Sequence, residues 1–104
     1  MKVWRETTLL DAEHPSLVGH FPGNHLAPGV LLLDRVMQAV ARGWPQCRLS
    51  GLPQAKFVHP WRPGEHLDIV LEESTPGRLS FVCQHAGQPV AHGQINIEIN
   101  EDRS

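Results

Sequence analysis

The stretch from about Val30 to Arg42 constrains this chain more than any other. It has helical composition, Pro28-Gly29 opens it, and Gly43 followed by Trp44-Pro45 closes it. Glycine takes the left-handed conformation that stops a helix, so Gly43 is the expected terminator. Val30, Leu31, Leu32, Leu33, Val36, Met37, Ala39, Val40 and Ala41 make the helix apolar over most of its circumference. Asp34, Gln38 and Arg42 form one polar line at i, i+4 and i+8. A helix of this kind has to be buried on nearly all sides, and the rest of the chain must supply the cover.

That cover reads as β-structure. Val3 to Leu10 is a β-branched run bounded by Asp11, Gln54 to Val58 a short strand, and Leu67–Glu72 and Leu79–Gln84 alternate between apolar and polar residues. Val90 to Ile99 sets Ile95, Ile97 and Ile99 on one face and Gln94, Asn96 and Glu98 on the other. Turns fall at Arg62-Pro63-Gly64-Glu65, Thr75-Pro76-Gly77 and Ala86-Gly87-Gln88. One buried helix and a succession of strands joined mainly by tight turns predict an α+β domain, a curved antiparallel sheet wrapped around one central helix. With 104 residues and no internal repeat, residues 1–104 read as a single domain. A domain this short leaves much surface uncovered, so an oligomer is expected.

A formal net charge of −2 and the lack of a basic stripe argue against nucleic acid as the main ligand. No apolar run approaches the length of a membrane helix and residues 1–10 carry no secretory pattern, so the expectation is a cytoplasmic protein without membrane association. Cys47 and Cys83 stand far apart, outside any CxxC pair, and are expected as thiols. His14, His20 and His25 lie close together, but no acid or cysteine sits at a ligand spacing around them, and no metal is expected. His59, His66, His85 and His92 read as surface or edge residues. Neither GxGxxG nor a P-loop is present, so no nucleotide cofactor is implied. Trp4, Trp44 and Trp61 fit the core better than an acyl tunnel. Lys56, Arg62 and Arg48 suit a solvated strand face or the acidic surface of a partner equally well.

Chemistry concentrates between His20 and Asp34. The loop from Glu13 to Ala27 is rich in proline and glycine and feeds directly into the helix N-terminus. Imidazole titrates near neutrality and suits His20 to removing a proton beside a thioester carbonyl. The negative charge that then develops on the thioester oxygen can be met by the N–H groups of Gly29 and Val30, which have no partner inside the helix. Asp34 lies about 7.5 Å further along the helix axis, at 1.5 Å per residue, where it can give a proton to a departing 3-hydroxyl. Acting as an acid near neutrality requires Asp34 to be held protonated, which burial among Leu31, Leu33 and Met37 would favour. A carboxylate that only orients the hydroxyl or a water is the weaker form of the same reading.

Gly19-His20-Phe21-Pro22-Gly23, Pro28-Gly29-Val30-Leu31 and Asp34 resemble, in order and spacing, the signature of the hot-dog-fold 3-hydroxyacyl-ACP dehydratases. Gln38 falls where that family has a glutamine one turn past its acid. Leu52-Pro53-Gln54-Ala55-Lys56-Phe57-Val58 and Arg62-Pro63-Gly64-Glu65 look like its strand and turn, and the short chain looks most like the compact aryl-polyene-type members. The resemblance implies a hot-dog fold and a hydro-lyase that converts 3-hydroxyacyl thioesters on acyl carrier protein to 2-enoyl thioesters in fatty-acid or polyene synthesis. It implies His20 and Asp34 as catalytic residues and Gly29, Val30, Phe21, Pro28 and Gln38 as oxyanion or substrate contacts, with no cofactor. It further implies a phosphopantetheine-linked substrate and a dimer, a homodimer or else a heterodimer, in which the histidine of one subunit meets the acid of the other. His25 departs from the pattern, standing where the fatty-acid enzymes commonly have proline. The alternatives are a hot-dog acyl thioesterase and a non-catalytic hot-dog subunit of a heterodimer.

Overall fold

The computed structural model describes residues 2–9 and 29–100. Among them the order is β1 (Val3–Leu9), α1 (Gly29–Gly43), β2 (Cys47–Phe57), β3 (His66–Thr75), β4 (Arg78–His85) and β5 (Gln88–Ile99). The five strands form one sheet in the order β1-β3-β4-β5-β2, with every pair antiparallel. The sheet curves around α1, the architecture that the patterning implies.

The core is what period-2 strands and an amphipathic helix make together. Leu67, Ile69 and Leu71 of β3, Leu79, Phe81 and Cys83 of β4, and Val90, Ala91, Ile95 and Ile97 of β5 point inward and are buried. Leu31, Leu32, Val36, Ala39 and Val40 of α1 complete the cluster with Trp44 and Trp61, and Trp4 packs on its edge. The three tryptophans are therefore core or core-edge residues, as expected. Burial pushes the Cys83 thiol up to about 12, which leaves it inert at neutral pH. Cys47 is half-buried, and both cysteines are free thiols.

Two tight turns follow the sequence. Thr75 and Arg78 pair across Pro76-Gly77, with Gly77 at φ 84°, and His85 and Gln88 pair across Ala86-Gly87, with φ 51° and 82°. Two successive positive φ values give the second hairpin the twist that its strands require.

Four expectations need correction. The second strand is not the short Gln54–Val58 but runs from Cys47 to Phe57, because Gly51 and Leu52-Pro53 shift its register against β5 without ending it. An edge strand tolerates a proline and an irregularity that a central strand would not. Nor are the last four strands a run of hairpins: β2 pairs with β5 at one edge, whereas β3 lies next to β1 on the other side, so residues 58–65 cross from one side of the sheet to the other. Gly43 is the last helical residue but has no positive φ. Its role is steric, since a Cβ there would lie 2.9 Å from Trp4 Cγ, and the helical pattern continues one residue further through Trp44 N–H to Val40 O at 2.7 Å. Finally, α1 is not buried all round. Val30 is 74% exposed and Met37 41%, and they share an open face with Asp34, Gln38 and Ala41.

Charged groups tie the helix to the sheet edge. Arg42 donates to both carboxylate oxygens of Glu6, at 2.9 Å from Nε to Oε1, and Trp4 Nε1 donates to the same oxygen at 2.9 Å. Arg35 Nη1 donates to Thr8 Oγ1 at the end of β1.

Candidate active site

Two parts of the expected site lie within the described residues, the helix N-terminus and the acid. His20, Phe21 and Pro28 lie outside them. Gly29 is the first residue of α1. Gln38 Nε2 donates to Asp34 Oδ2 at 2.7 Å, an i, i+4 contact that fixes the carboxylate along the helix.

The surroundings of Asp34 differ from the expectation. Asp34 and Met37 are exposed and Leu33 is half-buried, and although Leu31 one turn earlier is buried in the core, it does not carry the carboxylate in with it. Burial of the carboxylate requires something that covers the open face.

Beside the helix N-terminus lies a cleft of about 430 Å³ lined by Gly29, Leu32 and the segment from Phe57 to Trp61. That volume falls in the range of small-molecule sites, about 300–1,000 Å³, and the lining is mostly apolar. Trp61 forms a fixed wall: it is 2% exposed and its indole N–H donates to Glu65 O at 2.8 Å. The segment is held at its other end by Val58 N–H and His59 N–H, both donating to Val90 O, at 2.8 and 3.2 Å. Sequence reasoning set His59 aside as a surface residue, yet it lines this cleft as well as being exposed. It also gave Phe57 no role beyond its motif. The proximity of residues 57–61 to the helix N-terminus arises from the crossing connection after β2, for which the local sequence carries no signal.

Away from the cleft, two sets of titratable groups make contacts of their own. His85 Nδ1 lies 2.8 Å from His66 O and Nε2 lies 3.6 Å from Glu65 Oε2, and Arg48 pairs with Glu98 at 2.9 Å. Among the described residues no group of three or more His, Cys, Asp or Glu side chains is placed to hold a metal ion, and no helix is long and apolar enough to cross a membrane.

A single helix seated in a five-stranded antiparallel sheet is the arrangement of the hot-dog proteins. Within that class the chain belongs to the ApeI-like dehydratase family, whose model, described as ApeI dehydratase, matches residues 3–94. It is 29% identical over 100 residues to a 3-hydroxyacyl-[acyl-carrier-protein] dehydratase, FabZ, from Haemophilus influenzae, an alignment that covers 86% of this chain and 65% of that protein. The chain thus spans a little less than two thirds of that relative. Among solved structures it superposes on a chain of the dehydratase heterocomplex ApeI:P from Xenorhabdus doucetiae with a TM-score of 0.81 and 27% identity, covering 91% of this chain and 86% of the other. A protein from Erwinia carotovora subsp. atroseptica shares the fold at a TM-score of 0.84 and 24% identity, over 96% of this chain and 86% of that one.

Proposed function

We propose that this chain removes water from 3-hydroxyacyl thioesters carried on acyl carrier protein, giving 2-enoyl thioesters. The observation that carries the proposal is the Asp34 carboxylate, held by Gln38 on the open apolar face of α1, about one and a half turns from the Gly29 N-terminus. Membership of the dehydratase family and the His20 motif support it. His20 takes the proton from C2, the Gly29 and Val30 N–H groups stabilise the charge on the thioester oxygen, and Asp34 protonates or orients the departing 3-hydroxyl. Phe21 and Pro28 flank this path as substrate contacts. The proton lost from C2 and the hydroxyl lost from C3 together leave as water, so acid–base chemistry balances the reaction without a redox cofactor.

Within this reading the open face is an interface. Val30 and Met37 on α1, with Leu52, Phe57 and Val58 on the β2 edge, are apolar and exposed in the single chain, and a second copy would bury them. Such a homodimer brings the His20 of one copy to the Asp34 of the other. A heterodimer with a related hot-dog subunit would cover the same face, and the compartment that fits acyl-carrier chemistry is the cytoplasm.

The test is mass spectrometry of a panel of 3-hydroxyacyl-carrier proteins incubated with the wild type, His20→Ala and Asp34→Asn, each checked for folding and for molar mass by light scattering. The expected outcome is loss of water with the wild type, a decrease of about 10²–10⁴-fold in each variant, and a dimeric mass. Free acid as the product would favour a thioesterase. A folded protein that turns over nothing, alone or with candidate partners, would overturn the enzymatic reading.

A further inference from the structure

We infer that Phe57 limits the bulk an acyl group can carry at C2, the carbon next to its thioester carbonyl. The inference rests on the dehydratase reading in one respect: it takes the helix N-terminus as the seat of the carbonyl oxygen. Phe57 is the last residue of β2, paired with Ala91, and strand alternation places it on the same face as half-buried Ala55. A Cβ built on Gly29 would lie 3.1 Å from Phe57 Cζ and 3.4 Å from both Cε1 and Cε2. A point that near Cζ and only slightly further from both Cε atoms lies over the face of the ring at its Cζ end, so the ring lies across the space that a side chain at Gly29 would fill. Carbon atoms pack best at about 3.5–4.0 Å, so the ring occupies this position because residue 29 carries no side chain.

Ring and substrate then both border the Gly29 nitrogen. Bond lengths of about 1.5 Å place Phe57 Cζ at most about 6 Å from the Gly29 nitrogen. A thioester oxygen that accepts from that nitrogen at about 2.9 Å brings C2 of the acyl group within about 6 Å of it as well. Leu32 and the fixed Trp61 form other walls of the cleft, so the ring is one of the side chains that bound the space open to a substituent on C2. A hydrogen at C2 fits beside Phe57, and a methyl group meets it. Overpacking of this kind lowers affinity by roughly 5- to 100-fold.

The experiment is isothermal titration of the full chain with two pantetheine ketones in which CH₂ replaces the thioester sulfur, one carrying a butyryl and the other a 2-methylbutyryl group. Neither has a 3-hydroxyl, so binding is read independently of turnover. The wild type is expected to bind the unbranched probe at least tenfold more tightly, and Phe57→Leu and Phe57→Ala to reduce that ratio at least fivefold. A wild-type ratio below twofold, a ratio unchanged in both variants, or no binding of either probe would overturn the inference. Discrimination that behaves as expected in a chain that forms no enoyl product would leave the role of Phe57 standing and remove the dehydratase reading alone.

Discussion

The two sides of α1 are made of the same kinds of residue and have opposite fates. On one side Leu32, Val36, Ala39 and Val40 are closed over by β3, β4 and β5, where Leu67, Ile69, Leu71 and Leu79 are all 0% exposed. On the other side Val30, Met37 and Ala41 stand in the open around Asp34 and Gln38. The closed side is complete within one chain and serves stability. Among the described residues the open side has exposed apolar surface and a carboxylate held by one side-chain partner, which is the condition of a surface that works in an assembly and on a ligand. Packing and chemistry are thus divided between two faces of a single helix.

The largest expected effect breaks that division if it is wrong. Leu32→Ala removes a buried side chain and is expected to cost about 2–5 kcal/mol in urea unfolding, whereas Met37→Ala at low protein concentration should cost less than about 1 kcal/mol. If the open face is an interface, the cost of Met37→Ala grows with protein concentration, because association adds to stability only where the native assembly forms. Equal costs at every concentration would show that the two faces are packed alike.

A smaller effect belongs to the closed side. Ala86 holds φ 51° in the β4–β5 hairpin, a conformation that costs a residue with a Cβ about 1–2 kcal/mol. Ala86→Gly relieves that cost but adds backbone entropy to the unfolded chain, so a net gain of about 0.5–1 kcal/mol is expected, read as a higher midpoint of unfolding with no change in ligand binding.

The smallest effect depends on pH and concerns the seam between α1 and β1. The hydrogen bond from Arg42 holds the Glu6 carboxyl below its ordinary range, opposed by burial and helped by the Trp4 indole and the Arg42 charge. A carboxyl lowered by folding contributes its stability above the ordinary glutamate range and loses it as the pH falls through the lowered value. The wild type should therefore lose stability across that acidic window, and Glu6→Gln should flatten this part of the curve. Identical slopes for the two proteins would mean that the Glu6–Arg42 pair does not tie the helix to the sheet in solution.

Much of this architecture was legible because it is periodic. The alternation in β3, β4 and β5 and the 3.6-residue spacing of α1 follow from backbone geometry alone, so Ile69, Phe81, Val36 and Val40 could be assigned to the core with no knowledge of what they touch. The Pro76-Gly77 and Ala86-Gly87 turns were legible for the same reason, as local chemistry. β2 was only half visible, because Gly51 and Pro53 carry the signs of a break and only pairing with β5 shows that the strand runs through them. Gly43 was placed correctly for the wrong reason: its neighbour in space is Trp4, 39 positions away in the chain.

By itself the sequence determined the fold class, the helix and its polar line, and the pairing of Asp34 with Gln38, all of which depend on residues close together along the chain. Tertiary structure alone decided which side of α1 stays open, that residues 57–61 wall a cleft at Gly29, and that the Phe57 ring stands over the helix N-terminus. Those features depend on β2 pairing with β5 and on the crossing connection that follows it, and a contact between distant segments is set by the packing of the whole sheet rather than by any local preference.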